Sequence, residues 1–436
     1  MLDNQTTRRE FFKGGAAAGL AAAGISSIAA AERRPVRIGI IGTGGRGKSH
    51  LQTLMRLPGV VVPALCDTNA GNLAAARDIV VKAGQRKPEG YSGGEHAFEK
   101  LVERDDLDAV IITTPWDWHA PMALSAMNAG KYAAVEVPAA LTIEQCWDIV
   151  KTSERTGRPC MMLENWSFRR DNLAVLNMIR AGLLGQIVHA HCAYSHDCIG
   201  WFFDARTGQM RWSGKYLLNF NGSLYTTHGL GPVLSWLDIN CGDRFDYLTS
   251  TATKPLRVAD YFARKFGPDH PAAKAQYEQG DIVTTVIKTV GGKTIVVNYD
   301  VHLPRPYDNR WLVQGTRGIY DEDKGSVYIA GRSPGDHQWE PFEPYQEQFD
   351  HKWWKTMGGK AESAGHGGGD YIELALFVDA VRNKTQTPLD VYDSVTMSAV
   401  IPLSAESIAK GSAPVKAPDF TGGKWQTRKY AFAAEG

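Results

Sequence analysis

The sequence predicts an α/β chain: an N-terminal doubly wound parallel sheet, then a C-terminal α+β domain with an open, mostly antiparallel sheet. Three observations lead there. From Val36 to about Leu163, short apolar runs alternate with helical patterns. A glycine-rich turn follows the first of those runs. Beyond Ala181 the runs lengthen and are separated by hairpin-like glycine breaks.

In chain order, residues 1–31 read as a signal peptide. Arg8 and Arg9 open a basic region, an Ala/Gly-rich apolar run follows from Gly14 to Ile28, and "SIAAAE" supplies small residues for cleavage. The paired arginines point to the twin-arginine route, which moves folded proteins, so the expected location is periplasmic or extracellular. The run is too short and too rich in glycine for a membrane span, which needs roughly 20 apolar residues.

Residues 35–163 form the first predicted domain. Its strands are "VRIGIIG", "VVVPALCD", "DAVIITT", "YAAVEV" and "CMMLE", and three of the intervening helices are "AGNLAAARDIVVKAG", "HAPMALSAMNAG" and "TIEQCWDIVKTSERTG". Strands apolar throughout belong to a parallel sheet covered on both faces. Residues 164–436 form the second. A helix near Asn172–Ala181 precedes the strands "GQIVHAHCAYSHD", "DIVTTVIKTV", "KTIVVNYDV" and "RWLVQGTRG", and two helices close the chain. The stretch from His351 to Asp370 reads as a mobile, aromatic-tipped loop.

The 436 residues carry 48 basic and 47 acidic side chains, a balance that offers nothing for nucleic acid or a membrane surface. The six cysteines show no metal-binding spacing, and no metal is expected. Cys66, Cys146 and Cys160 fall in apolar patterns as buried thiols, whereas Cys192 and Cys198 are open to pairing in an oxidising compartment. Twelve Trp and sixteen Tyr hint at carbohydrate contact, although core packing accounts for most aromatic residues.

"GTGGRG" places Gly42, Gly44 and Gly47 between an apolar strand and a helix, with Asp67 ending the next strand. This is the Rossmann dinucleotide pattern. Gly42 permits the turn, Gly44 admits the pyrophosphate, and Gly47 lets the helix pack closely. Asp67 can accept from both ribose hydroxyls and would repel a 2′-phosphate, so NAD is expected rather than NADP. "TTPWDWHAP" and "VEVPAA" end two further strands at the ligand-binding edge, bringing Trp116, Trp118, His119 and Glu136 to the same side.

These residues resemble the superfamily of glucose–fructose oxidoreductase and inositol dehydrogenase along the whole mature chain. Ordinary members have a Glu-Lys-Pro and an Asp-x-x-x-His pair; here Val137 replaces the lysine and Leu224 the aspartate, while His228 is kept. Those departures, with "PWDWH", "EV", "ENW" and "YTTHG", resemble glycoside hydrolase family 109, typified by NAD-dependent α-N-acetylgalactosaminidases. The resemblance implies NAD contacts from Arg46, Gly47, Asp67, Trp116 to His119, Glu136, Val137 and Asn165. It implies sugar contacts from Tyr194, Arg211, Tyr225, Thr226, Thr227, His228 and Tyr307. Thr226 stands where the family usually has proline, and the spacing around Arg211 is shifted.

The second domain offers no carboxylate pair suited to ordinary glycoside hydrolysis; Asp197 and Asp300 read as surface or hairpin residues. The expected chemistry is oxidation at C3 by NAD, loss of the C2 proton, elimination at C1, water addition and re-reduction, with no net use of NAD. Tyr307 or Tyr225 is the expected base, its phenol lowered by a cation such as Arg211, and His228 handles the C3 hydroxyl proton. Two other readings compete: an exported sugar oxidoreductase, and a sugar-binding module that holds NAD structurally. A glycan or glycoconjugate is the expected substrate, and the open sheet face suits a homodimer.

Overall fold

A computed structural model of the chain describes residues 34–429 and 432–434, so the signal-peptide reading of residues 1–31 lies outside the described residues. The first sheet has six strands: β1 (Val36–Ile41), β2 (Val60–Cys66), β3 (Glu89–Tyr91), β4 (Ala109–Ile112), β5 (Tyr132–Val135) and β6 (Cys160–Met162). Their order is β3-β2-β1-β4-β5-β6 and every pairing is parallel. β1, β4, β5 and β6 are almost wholly buried, which is why each reads as an unbroken apolar run. The chain reverses direction across the sheet between β1 and β4, and such a switch point opens a crevice at the strand ends.

The second sheet has nine strands: β7 (Ile187–Ser195), β8 (Phe245–Ala252), β9 (Val283–Thr289), β10 (Thr294–Asp300), β11 (Leu312–Gly315), β12 (Gly318–Asp321), β13 (Ser326–Ile329), β14 (Glu340–Pro341) and β15 (Val415–Lys416). They are ordered β14-β13-β12-β11-β7-β10-β9-β8-β15. Only β7 and β10 pair in parallel; the rest are antiparallel, including the β9–β10 hairpin that turns at Gly291 and Gly292. One face packs on helices Thr227–Trp236 and Val391–Ala409, burying Ile287, Ile295 and Val297. The opposite face carries half-exposed side chains such as Val286 and Val296, paired across the strands.

Two details differ from the sequence reading. The stretch from His351 to Asp370 is not a loop: it holds the helix Lys352–Ala361 and a 3₁₀ turn, His366–Gly368. Trp354 is buried there and donates from Nε1 to the Phe168 carbonyl at 2.8 Å, so packing overrides the helix-weakening Gly358 and Gly359. Asp300 is buried rather than at the surface, with Arg305 3.1 Å away. All six cysteines are free thiols, Cys192 and Cys198 included. Among the described residues no helix is long and apolar enough to cross a membrane.

Candidate active site

The crevice at the ends of β1, β2, β4 and β5 continues into the second domain as one cavity of about 1330 Å³. That exceeds the 300–1,000 Å³ usual for one small ligand, and leaves room for a dinucleotide and a sugar together. At one end lie Gly42, Gly44, Arg46 and Asp67. Gly42 turns with φ of 86°, and a Cβ on Gly47 would stand 2.0 Å from the Gly42 carbonyl oxygen, so the helix Gly45–Leu54 sits hard against the turn. A Cβ on Gly44 would meet nothing within 4 Å. That opening, at the N-terminus of a helix without a side-chain cap, fits a pyrophosphate. Asp67 Oδ2 accepts from Thr43 N at 2.6 Å and from its hydroxyl at 3.0 Å, which fixes the carboxylate at the cavity wall. Trp118 lies against Phe98 and His96 on the same side. His119 also lines the cavity, but both ring nitrogens face backbone carbonyls, of Pro138 at 2.7 Å and Thr114 at 2.8 Å, and its burial lowers its pKa.

Behind this end Arg46 joins the two domains. Its Nε donates to Glu136 Oε1 at 2.5 Å, and Nη1 and Nη2 reach Asp370 Oδ2 and Oδ1 at 2.6 and 3.0 Å. Asn165 Nδ2 donates to Asp370 Oδ1 at 2.7 Å, and His366 Nδ1 lies 3.0 Å from Oδ2. Burial alone would raise Glu136 and Asp370, but it is outweighed: Arg46 and His50 hold Glu136 well below the usual range, and His366 and Arg46 do so for Asp370. His50 is lowered by burial and by the Arg46 charge, so it donates as a neutral ring from Nε2 to Glu136 Oε1 at 2.6 Å. Val137 is buried beside this group and lines the cavity.

At the other end Tyr194, near the close of β7, meets Tyr225 and His228 at ring-centroid separations of 5.2 and 5.1 Å. Trp116 stacks on Tyr225 at 5.5 Å and so connects the first domain to this cluster. His228 is held through Nδ1, which donates to Glu164 Oε1 at 2.8 Å and leaves Nε2 for the cavity that His228 lines. Thr226 and Thr227 are fully buried and do not line the cavity, so the run from Tyr225 to His228 presents only its two ends. Tyr307, 43% exposed, stands beyond Tyr194 against His196 at 4.6 Å and Trp166 at 5.7 Å, off the cavity wall itself. Arg211 lines the rim, with Nη2 3.5 Å from Asp204 Oδ2.

The phenols are not lowered in this structure. Burial pushes Tyr194 and Tyr225 above the ordinary value, and Tyr307, although part of its ring is open to solvent, is raised in the same direction by the protein packed around it. The cation that pulls Tyr307 the other way is Arg169, not Arg211.

Glu164 and Asp370 are functional candidates that the sequence reading passed over. Glu164 follows β6 as Glu136 follows β5, at the same sheet edge, and that position was the available signal. It is fully buried, and Oε2 accepts from Ser167 N at 2.9 Å and Ser167 Oγ at 2.5 Å. Nothing local marks Asp370, which reaches Arg46 across 324 residues of chain.

Comparison with known proteins finds matches to both parts of the chain. Residues 36–164 match the model of an oxidoreductase family, NAD-binding Rossmann fold, and residues 168–427 that of the glycosyl hydrolase 109 C-terminal domain. An α-N-acetylgalactosaminidase of Tannerella forsythia is 40% identical, over 98% of this chain and 100% of its own. A glycosyl hydrolase family 109 protein of Stenotrophomonas maltophilia is 41% identical over 98% of both. Among solved structures, an NAD binding oxidoreductase from Klebsiella pneumoniae shares the fold with a TM-score of 0.70 at 20% identity, covering 88% of this chain and 100% of that one. A levoglucosan dehydrogenase in complex with NADH and L-sorbose has a TM-score of 0.68 at 20% identity over the same shares.

Proposed function

The chain belongs to glycosyl hydrolase family 109 and is an NAD-dependent glycoside hydrolase, and on that premise we propose that it releases terminal α-N-acetylgalactosamine through a reversible oxidation of the sugar. The observation that carries this is the single cavity shared by the dinucleotide cradle and the Tyr194, Tyr225 and His228 cluster. NAD, when bound, supplies a reversible two-electron oxidation at C3.

The remaining steps fall to the chain's own side chains. Gly44 and the helix N-terminus receive the pyrophosphate, and Asp67 the ribose. His228 Nε2 takes the C3 hydroxyl proton, with Glu164 holding the ring in one tautomer and steadying its charge. With C3 a ketone, the C2 hydrogen is acidic. The phenolate of Tyr225 or Tyr307 removes it, the C1–oxygen bond breaks as the aglycone oxygen takes up a proton, water adds at C1, and C3 is reduced back to the alcohol. Both phenols stand above the ordinary value, so the base gains strength once formed, and the cations that help to form it are Arg46 for Tyr225 and Arg169 for Tyr307. Glu136 is engaged by Arg46 and His50, and Glu164 by His228, so neither is placed as an acid for a glycosidic oxygen.

The test is p-nitrophenyl α-N-acetylgalactosaminide with purified protein and no added NAD, run in D₂O. Nitrophenol release with deuterium at C2 is expected. An unlabelled product would remove the elimination route, and stoichiometric NADH would indicate a sugar oxidoreductase instead. We further propose export by the twin-arginine route, tested by replacing Arg8 and Arg9 with lysine and fractionating the cells. A homodimer through the outer face of the second sheet, around Val286 and Val296, is tested by light scattering.

A further inference from the structure

We infer that the rim formed by Trp201, Met210 and Trp212 is a binding subsite for the sugar ring on the aglycone side of the bond to be cut. This rests on the glycosidase reading and deepens it by assigning the side chains that would seat the pyranose next to the one released.

Three large apolar side chains gather there in the open. Trp201 is 42% exposed, Met210 43% and Trp212 47%, and all three line the mouth of the cavity. Scattered exposed apolar residues need no explanation, but a cluster at the mouth of a ligand cavity does.

The rim is built rather than loose. It is carried by the doubled-back segment between Cys198 and Gly214, whose Phe202 and Phe203 are buried in the second core cluster. Ser213 Oγ donates to the Trp201 carbonyl at 2.7 Å, Arg211 N to the Phe202 carbonyl at 2.8 Å, and Asp204 N to the Gln209 carbonyl at 2.8 Å. Phe203 and Met210 bridge the two arms. The exposed rings are therefore pre-positioned, which lowers the ordering cost of binding.

The rim is also continuous with the sugar wall. Trp201 meets Tyr225 edge-on at 5.5 Å, and Trp212 meets Trp116 edge-on at 5.2 Å, while Trp116 stacks on Tyr225. A ligand lying on the rim is thus one ring away from whatever Tyr225 contacts.

Its chemistry selects the occupant. Flat aromatic faces match the C–H face of a pyranose, and Asp204 and Gln209 beside them offer partners for ring hydroxyls. A lipid aglycone would cover the Gln209 amide without offering it a partner.

The test uses the NAD-loaded enzyme with two substrates: α-N-acetylgalactosaminyl-(1→3)-galactose, and methyl α-N-acetylgalactosaminide, which has no ring at the rim. Trp212→Ala is expected to lower kcat/KM for the disaccharide about tenfold, mainly through KM. The methyl glycoside should stay within about twofold, and Trp212→Phe should recover most of the disaccharide activity. Equal loss on both substrates, or loss on neither, overturns the subsite. If wild type cleaves neither compound, the glycosidase reading fails, and the subsite is judged by calorimetric binding of the disaccharide. Weaker binding by Trp212→Ala then supports it, and unchanged binding overturns it.

Discussion

Glu164 Oε1 accepts a hydrogen bond from His228 Nδ1 at 2.8 Å, with the carboxylate fully buried and the imidazole nearly so. A carboxylate behind a ring fixes which nitrogen carries the proton and favours the charged ring during proton transfer. Glu164→Gln keeps the shape and removes the charge. We expect kcat to fall by about 10²-fold with KM little changed. Circular dichroism checks the fold, and unchanged kcat would remove Glu164 from the proton path.

Gly231 is the second test of the same pair. A Cβ there would lie 1.8 Å from Glu164 Oε2 and 2.6 Å from Ser167 Oγ. Gly231→Ala must push Glu164 aside, so a loss of about 1–3 kcal/mol in stability is expected together with a fall in kcat. Urea unfolding and steady-state kinetics measure the two effects separately.

The Arg46–Asp370 contact predicts a cofactor phenotype. Asp370→Ala leaves Arg46 half-paired beside the dinucleotide cradle and should cost about 3 kcal/mol. Bound NAD should be lost during gel filtration, read as the absorbance ratio at 260 and 280 nm. Glu136 and Asp370 both lie below their ordinary pKa, so their stabilisation is present above the unfolded carboxylate range and is lost as pH falls through the lowered folded values. Cofactor retention should therefore hold at pH 5 and fail only in stronger acid.

His302 works over a different window. It is buried between Phe202 and Tyr299, and burial lowers its pKa to about 4. The unfolded chain takes up this proton first, so the stabilisation is complete above the unfolded histidine value and drains away as pH falls toward 4. The share of His302 is about 3 kcal/mol. His302→Phe should flatten the stability–pH curve between pH 7 and 4 by about that amount, measured by urea unfolding at each pH.

The first domain was legible because a sheet covered on both faces writes its strands as apolar runs, and because the dinucleotide turn has a fixed glycine grammar. β3 escaped notice: three residues at a sheet edge, none of them buried, leave no pattern. In the second domain, Tyr194 and His228 could be picked out from the family's motifs. Their alignment with Glu164 could not, since the turn Asn165–Phe168 that follows Glu164, β7 and the helix Thr227–Trp236 meet only through tertiary packing. The helix Lys352–Ala361 was misread because its glycines argue locally against helix while Trp354 is anchored from outside. Arg46 was legible as part of the turn, but its two carboxylate partners lie 90 and 324 residues away along the chain.

The placement of β7 has a consequence for how the molecule is made. Both its neighbours, β10 and β11, lie roughly a hundred residues further along the chain, so during synthesis β7 emerges and waits without a partner. The first sheet can be finished on the ribosome well before that. Tyr194 is thus seated late, and a nascent chain forms its first sheet and glycine turn long before it has anywhere to hold a sugar, while Asp370, the partner of Arg46, is made later still.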